Sequence, residues 1–209
     1  MKKYFIAVGL LSASSWVCAQ GYVGAVVALT KLQNSCVESY KCNDSRGHGF
    51  KIFGGTRFNA DEQLSLGGVG FSRIEVAAMR FGKQASTGTA ATTVISGGNP
   101  VPATLAAKSE VSADALVVAA GMDWRLSRQL VAVGKVGLAY VTGTLSSSLG
   151  GVSNGSVSNN AIRPYLGLAM EIEVLPNVQV QGGFDWTRYS VDGRSGSATQ
   201  LGLGAAVSF

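Results

Sequence analysis

Residues 161–191 read AIRPYLGLAMEIEVLPNVQVQGGFDWTRYSV. In the first half, Ile162, Pro164, Leu166, Leu168, Met170 and Ile172 fall on one side of an extended chain. Arg163, Tyr165, Gly167, Ala169, Glu171 and Glu173 fall on the other. After Leu175-Pro176-Asn177 the alternation resumes, with Val178, Val180, Gly182, Phe184 and Trp186 against Gln179, Gln181, Gly183, Asp185 and Thr187. A period of two, interrupted by turn-forming residues and then restored, predicts two antiparallel strands. One face is apolar throughout. The other mixes ions of both signs with glycine, which is unusual for the solvent side of a soluble sheet.

The same period recurs along the chain. Eight strands are predicted, over residues 21–31, 49–58, 73–83, 114–125, 129–142, 161–174, 178–191 and 198–209. Helix signals are poor, and 28 of 209 residues are glycine. Phe50, Ile52 and Phe58 oppose Lys51, Gly55 and Arg57, and Leu116, Val118, Ala120, Met122 and Trp124 oppose Gly121, Asp123 and Arg125. The connections alternate too. Residues 126–128 and 175–177 are short, whereas 36–48, 85–113 and 143–160 are long and soft, and 192–197 is the shortest on that rim. Short turns on one rim and long loops on the other describe an outer-membrane barrel. The stretch 59–71, with LSLGGVG, is too long for a tight turn and leaves an earlier start for the third strand open.

The N-terminal MKKYFIAVGLLSASSWVCAQ has a basic start, an apolar run and small residues at Val17 and Ala19. This is the pattern of a secretory signal, expected over residues 1–19 with the barrel domain over 20–209. Without Lys2 and Lys3 the formal charge of +5 falls to +3, and there is no Lys/Arg run. Nucleic-acid binding therefore has little support. Cys36 and Cys42 remain in the exported chain, where two thiols can pair. A Cys36–Cys42 disulfide is expected, with two free thiols as the alternative.

Alternation alone fits a soluble barrel or a membrane one. The export signal, the charged and glycine-rich second face, and the terminal Phe209 favour the membrane. A lipid-spanning sheet must also close, because every backbone group needs a partner there. The expected fold is all-β: an eight-stranded antiparallel transmembrane β-barrel, an up-and-down meander, in the cell outer membrane. Lys51, Arg57, Arg125, Lys135 and Arg163 are placed inside it, with Glu75, Asp123, Glu171, Glu173 and Asp185. In so narrow a bore these charges should pair, since a buried charge without a partner is costly. Gly55, Gly121, Gly137, Gly167 and Gly183 are expected to give the long cationic chains room. Phe50, Phe58, Trp124, Tyr140, Trp186 and Phe209 are expected at the membrane interfaces. Arg80 falls on the lipid phase, so it lies near a rim or the register slips there.

The segments GYVGAVVALTK, GFKIFGGTRFNA, IEVAAMRFGK, RPYLGLAMEIEVLPNVQVQGGFDWTRY and LGLGAAVSF resemble the OmpA-like family of small outer-membrane barrels, whose relatives include the Neisserial surface and opacity proteins. The resemblance covers the transmembrane domain only. It implies that the closing strand with Phe209 is an assembly signal for the barrel-assembly machinery. The tethering role of a peptidoglycan-binding domain is not implied.

Catalysis has little to stand on. His48 is the single histidine, and Ser45, Asp44 and Glu38 crowd one loop with it. No catalytic, cofactor or metal residue is assigned, and no cofactor is expected. The expected function is a structural, envelope-integrity barrel with a plugged interior. Surface recognition or adhesion through the loops and a narrow small-solute channel are the alternatives. Expected partners are outer-membrane lipid and lipopolysaccharide, the assembly machinery, and a host or surface ligand at the loops.

Overall fold

The alternating segments form strands longer than their hydrophobic pattern suggests. The computed structural model describes residues 20–33, 41–42, 47–58, 64–66, 69–96, 98–191 and 193–209. The signal segment 1–19 and Cys36 lie outside these. The described residues form eleven strands: β1 (Gln20–Leu32), β2 (Lys41–Cys42), β3 (Gly47–Arg57), β4 (Leu64–Leu66), β5 (Val69–Phe71), β6 (Arg73–Ser96), β7 (Asn99–Arg125), β8 (Leu130–Leu149), β9 (Val152–Leu175), β10 (Val178–Val191) and β11 (Arg194–Ser208). The eight long ones pair antiparallel with their neighbours, and β11 returns to pair with β1. The sheet therefore closes on itself.

The pairing register fixes the shape. One row of paired residues runs from Asn160 through Thr142, Asp114, Arg80, Phe50, Val27, Leu203 and Gly182. It returns to β9 at Met170, ten residues from its start. A ten-residue offset over eight strands, at the usual rise and strand spacing, tilts the strands by about 40° to the barrel axis. At the seam, Phe209 N–H donates to the Gly21 carbonyl at 2.9 Å. The two-residue turn after β9 uses Pro176 and then Asn177 at φ 66°, the left-handed position that Asn tolerates.

Three expectations change. Residues 85–96, 99–113, 143–149 and 152–160 are not loops but strand. β6 and β7 stay paired out to Ser96–Asn99, and β8 and β9 out to Leu149–Val152. Their Ser, Thr, Ala and Gly content disguises them, because no apolar face marks a strand that has left the membrane. Secondly, β2 adds a short ninth strand beside β6 at Ser86 and Thr87. Thirdly, the overlong connection after β3 holds a small hairpin of its own, β4 with β5, and β6 begins at Arg73.

The side-chain pattern is inverted relative to a soluble protein. Val27, Ile52, Val118, Leu138, Leu168 and Leu203 are exposed on the outer wall. The inner wall carries the buried residues, polar ones included. An apolar belt outside a closed sheet is the signature of strands solvated by lipid.

Candidate functional site in the lumen and at the rims

The end carrying the short turns holds an ionic lumen. Arg73, the first residue of β6, is 1% exposed and crosses the bore. Its Nη1 lies 2.7 Å from Glu171 Oε1, and its Nε lies 2.7 Å from Asp123 Oδ1, the latter close but not aligned as a hydrogen bond. Gly121 makes this path: a Cβ there would stand 2.7 Å from Arg73 Cγ. Arg57 donates to Glu171 Oε2 at 2.9 Å and to Gln179 Oε1 at 2.6 Å. Both guanidiniums lie over the Tyr22 ring, 5.0 Å (Arg57) and 5.6 Å (Arg73) from its centroid.

A second layer lies nearer mid-barrel. Glu75 accepts from Lys135 at 2.5 Å and Tyr22 at 3.2 Å, and pairs with Lys51 at 3.2 Å. Lys51 also reaches Asp185 at 3.0 Å and the Tyr165 hydroxyl at 3.2 Å. Tyr165 donates to Asp185, whose other oxygen accepts from Gln200 at 3.2 Å. Four cations, Lys51, Arg57, Arg73 and Lys135, thus face four carboxylates, Glu75, Asp123, Glu171 and Asp185. Satisfied this way, buried charges hold each other in place; removing one partner leaves the other uncompensated.

Of the ten charges placed inside by pattern, these layers bring together seven. Arg125 and Glu173 are corrections: both are exposed at the turn rim, where the tilted wall ends and the inward phase reaches water. Arg163 is not in the ionic layers either; it donates to Ser190 Oγ at 2.9 Å near the other end. Arg73 was missed although it shares the phase of Glu75, two residues on, because it opens its strand. The tyrosines were missed as partners. Gly55 and Gly167 sit under Tyr22 and Tyr165 hydroxyls, not under long cationic chains.

The lumen beyond is largely apolar, with Gln84, Ser86, Ser109 and Thr187 buried among its lining, which the sequence reading did not anticipate. Phe81, Met79, Val111, Val117, Val141 and Val191 are buried there together with Leu32 and Tyr189. Thr30 satisfies itself on the Phe81 carbonyl at 2.5 Å. Among the ionic residues, the void bordered by Lys51, Lys135, Gln181 and Asp185 is about 10 Å³, room for about one water molecule.

On the outer wall, Arg80 projects outward with Asp114 at 3.0 Å and its guanidinium 5.7 Å from the Phe50 ring centre. Just beyond it the β6–β7 register shifts, with Gly82 at φ 71°. Lys83 then pairs with Glu110 at 2.7 Å. This row ends the apolar belt toward the long hairpins. Phe50, Trp124, Tyr140 and Phe209 are exposed on the wall, while Trp186 and Phe58 are half-buried. The Phe209 ring lies against Gly21, where a Cβ would approach within 2.7 Å. His48 is exposed on the wall beside Leu29. Cys42 pairs through its backbone with Ser86; its partner in the expected disulfide lies outside the described residues.

Residues 4–209 match the family described as outer membrane protein beta-barrel domain. The chain belongs to this family. It is a small outer-membrane barrel of the cell outer membrane, related to several barrel groups rather than to the OmpA-like one in particular. Neisserial surface protein A is similar in structure, with a TM-score of 0.55 and 16% identity over 90% of this chain and 97% of that one. Ail, the attachment invasion locus protein of Yersinia pestis, superposes with a TM-score of 0.50 and 15% identity over 91% and 99%. No curated protein matches the sequence. At these identities the likeness is one of fold. Among the described residues, no group of three or more His, Cys, Asp or Glu side chains is placed to hold a metal ion. The barrel's belt contacts outer-membrane lipid.

Proposed function

We propose that the barrel is a surface-recognition protein: an eight-stranded up-and-down meander, closed inside, that holds a sheet above the membrane for contact with a host or surface ligand. The observation that carries this is the length of β6 to β9. From Lys83 to Ser96 the β6–β7 pair continues for 14 residues beyond the register shift, on the order of 45 Å of strand. Lipid needs only about 9–11 residues per strand. Long hairpins belong to the outward side of such barrels and short turns to the periplasmic side. The names of the two similar structures, a surface protein and an attachment protein, point the same way. Lipopolysaccharide surrounds the belt in this reading, and the assembly machinery reads the strand that ends in Phe209.

The test is to trim residues 89–106, joining β6 to β7 by a two-residue turn. Expressed on a non-adherent bacterium, the trimmed barrel should keep its heat-modifiable gel mobility and lose adhesion to host cells. Adhesion equal to that of the full chain would overturn the reading. Detergent sensitivity changing instead would favour an envelope-integrity role.

A further inference from the structure

Above the membrane, β9 and β10 part. Their last pair is Thr187 with Tyr165, after which β10 pairs only with β11 while β9 continues to Val152 beside β8. Along residues 152–163, β9 therefore has one edge with no strand partner among the described residues. In an antiparallel pair, every second residue on such an edge turns its N–H and C=O away from the sheet. Natural edges are usually blunted by lysine, proline or a bulge. The register of β9 against β8 is irregular between Ser153 and Ser156, with Gly155 at φ 100°, but residues 156–162, SVSNNAI, below it are regular and contain no charge and no proline.

At the base of this edge stands Arg163. With the exposed Arg188 of β10 it is one of the fork's two cations among the described residues, and the one carried by the free-edged strand. Its Nη2 donates to Ser190 Oγ on β10, and its Nε is buried without a hydrogen-bond partner. No carboxylate lies within ion-pair distance of it among the described residues, although every interior cation of the two ionic layers has one. A guanidinium with an unused donor, at the foot of an open strand edge, suits a carboxylate delivered by an added strand.

We infer that the fork between β9 and β10 takes an extended peptide segment that pairs with the free edge of β9 and seats a carboxylate on Arg163. This deepens the surface-recognition reading and rests on it. The positive charge sets the partner's chemistry, and the uncharged edge tolerates varied sequence above it.

The probe is a fluorescent acetyl-Thr-Val-Thr-Val-Thr-Val-Thr-Glu-amide peptide, titrated into the folded full-length barrel in lipid vesicles and read by anisotropy. A Gln-ended twin should bind about tenfold more weakly. Arg163→Gln, checked for folding by gel mobility, should remove that difference, and Arg163→Lys should restore part of it. Methylating alternate peptide nitrogens should abolish binding in one phase and spare it in the other. Equal binding of the Glu and Gln peptides would overturn the role of Arg163 while leaving edge recognition standing. Indifference to methylation in both phases, or competition by inorganic phosphate alone, would mean a bare anion site. No binding of either peptide would overturn the inference, whatever the trimmed hairpin does to adhesion.

Discussion

Two stretches of one bore are closed by opposite means. Toward the short turns, Arg73, Glu75 and their partners fill the lumen with ions that must match in number and position. Toward the hairpins, Phe81, Met79 and the valines fill it mainly with apolar volume, and of the few polar side chains among them Thr30, Gln84 and Thr187 bond to backbone groups. The first closure depends on direction and charge, so a single substitution strands a partner. The second depends on packing, and its neighbours can relax into part of a gap. Stacked in series, they make closure of the tube independent of either one.

The strongest way to break this comparison is Glu75→Ala. It deprives Lys51, Lys135 and Tyr22 of a shared acceptor, and should lower stability by about 3–5 kcal/mol. Urea unfolding in vesicles measures this. The same variant should still pass no steady current across a planar bilayer, because the apolar part remains shut; stepwise conductance would show that the ionic layers were the only seal. Phe81→Ala should cost a similar or slightly smaller amount, about 3–5 kcal/mol, again without current. A loss under about 1 kcal/mol would mean that the hairpin end collapses freely and is not a packed closure.

A smaller effect is expected outside the bore. Reduction of a Cys36–Cys42 bridge should cost about 2–3 kcal/mol, given its short loop. Alkylation followed by mass measurement decides whether the bridge exists: both thiols modified without reductant would refute it. Smallest on stability is deletion of Phe209, whose ring is 74% exposed and rests on Gly21. It should change unfolding by less than about 1 kcal/mol yet slow assembly, and equal folding rates with and without it would count against an assembly role.

The belt was legible because lipid enforces strict alternation: residues 161–191 could be read in register from the letters alone. The hairpins were not, since water imposes no such pattern on residues 85–113 and 143–160. Within the lumen, charged residues announced themselves by type, so Lys51, Lys135, Glu171 and Asp185 were readable as inward. Their limits were not. Arg125 and Glu173 share the inward phase but fall where the tilted wall runs out, and tilt follows from the register between distant strands rather than from any one of them. The apolar closure was hidden for a related reason. Phe81 and Met79 look like lipid-facing residues until the phase of Arg73 and Glu75 is followed up the same strand.

The seam between β1 and β11 turns geometry into timing. Tyr22 meets Ser208, so the wall cannot shut until β11 has been made and delivered to β1. Until then both rims of the growing sheet are exposed, and pairings this distant form slowly. Before that pairing the sheet is an open ribbon with two edges, either of which could take a wrong neighbour.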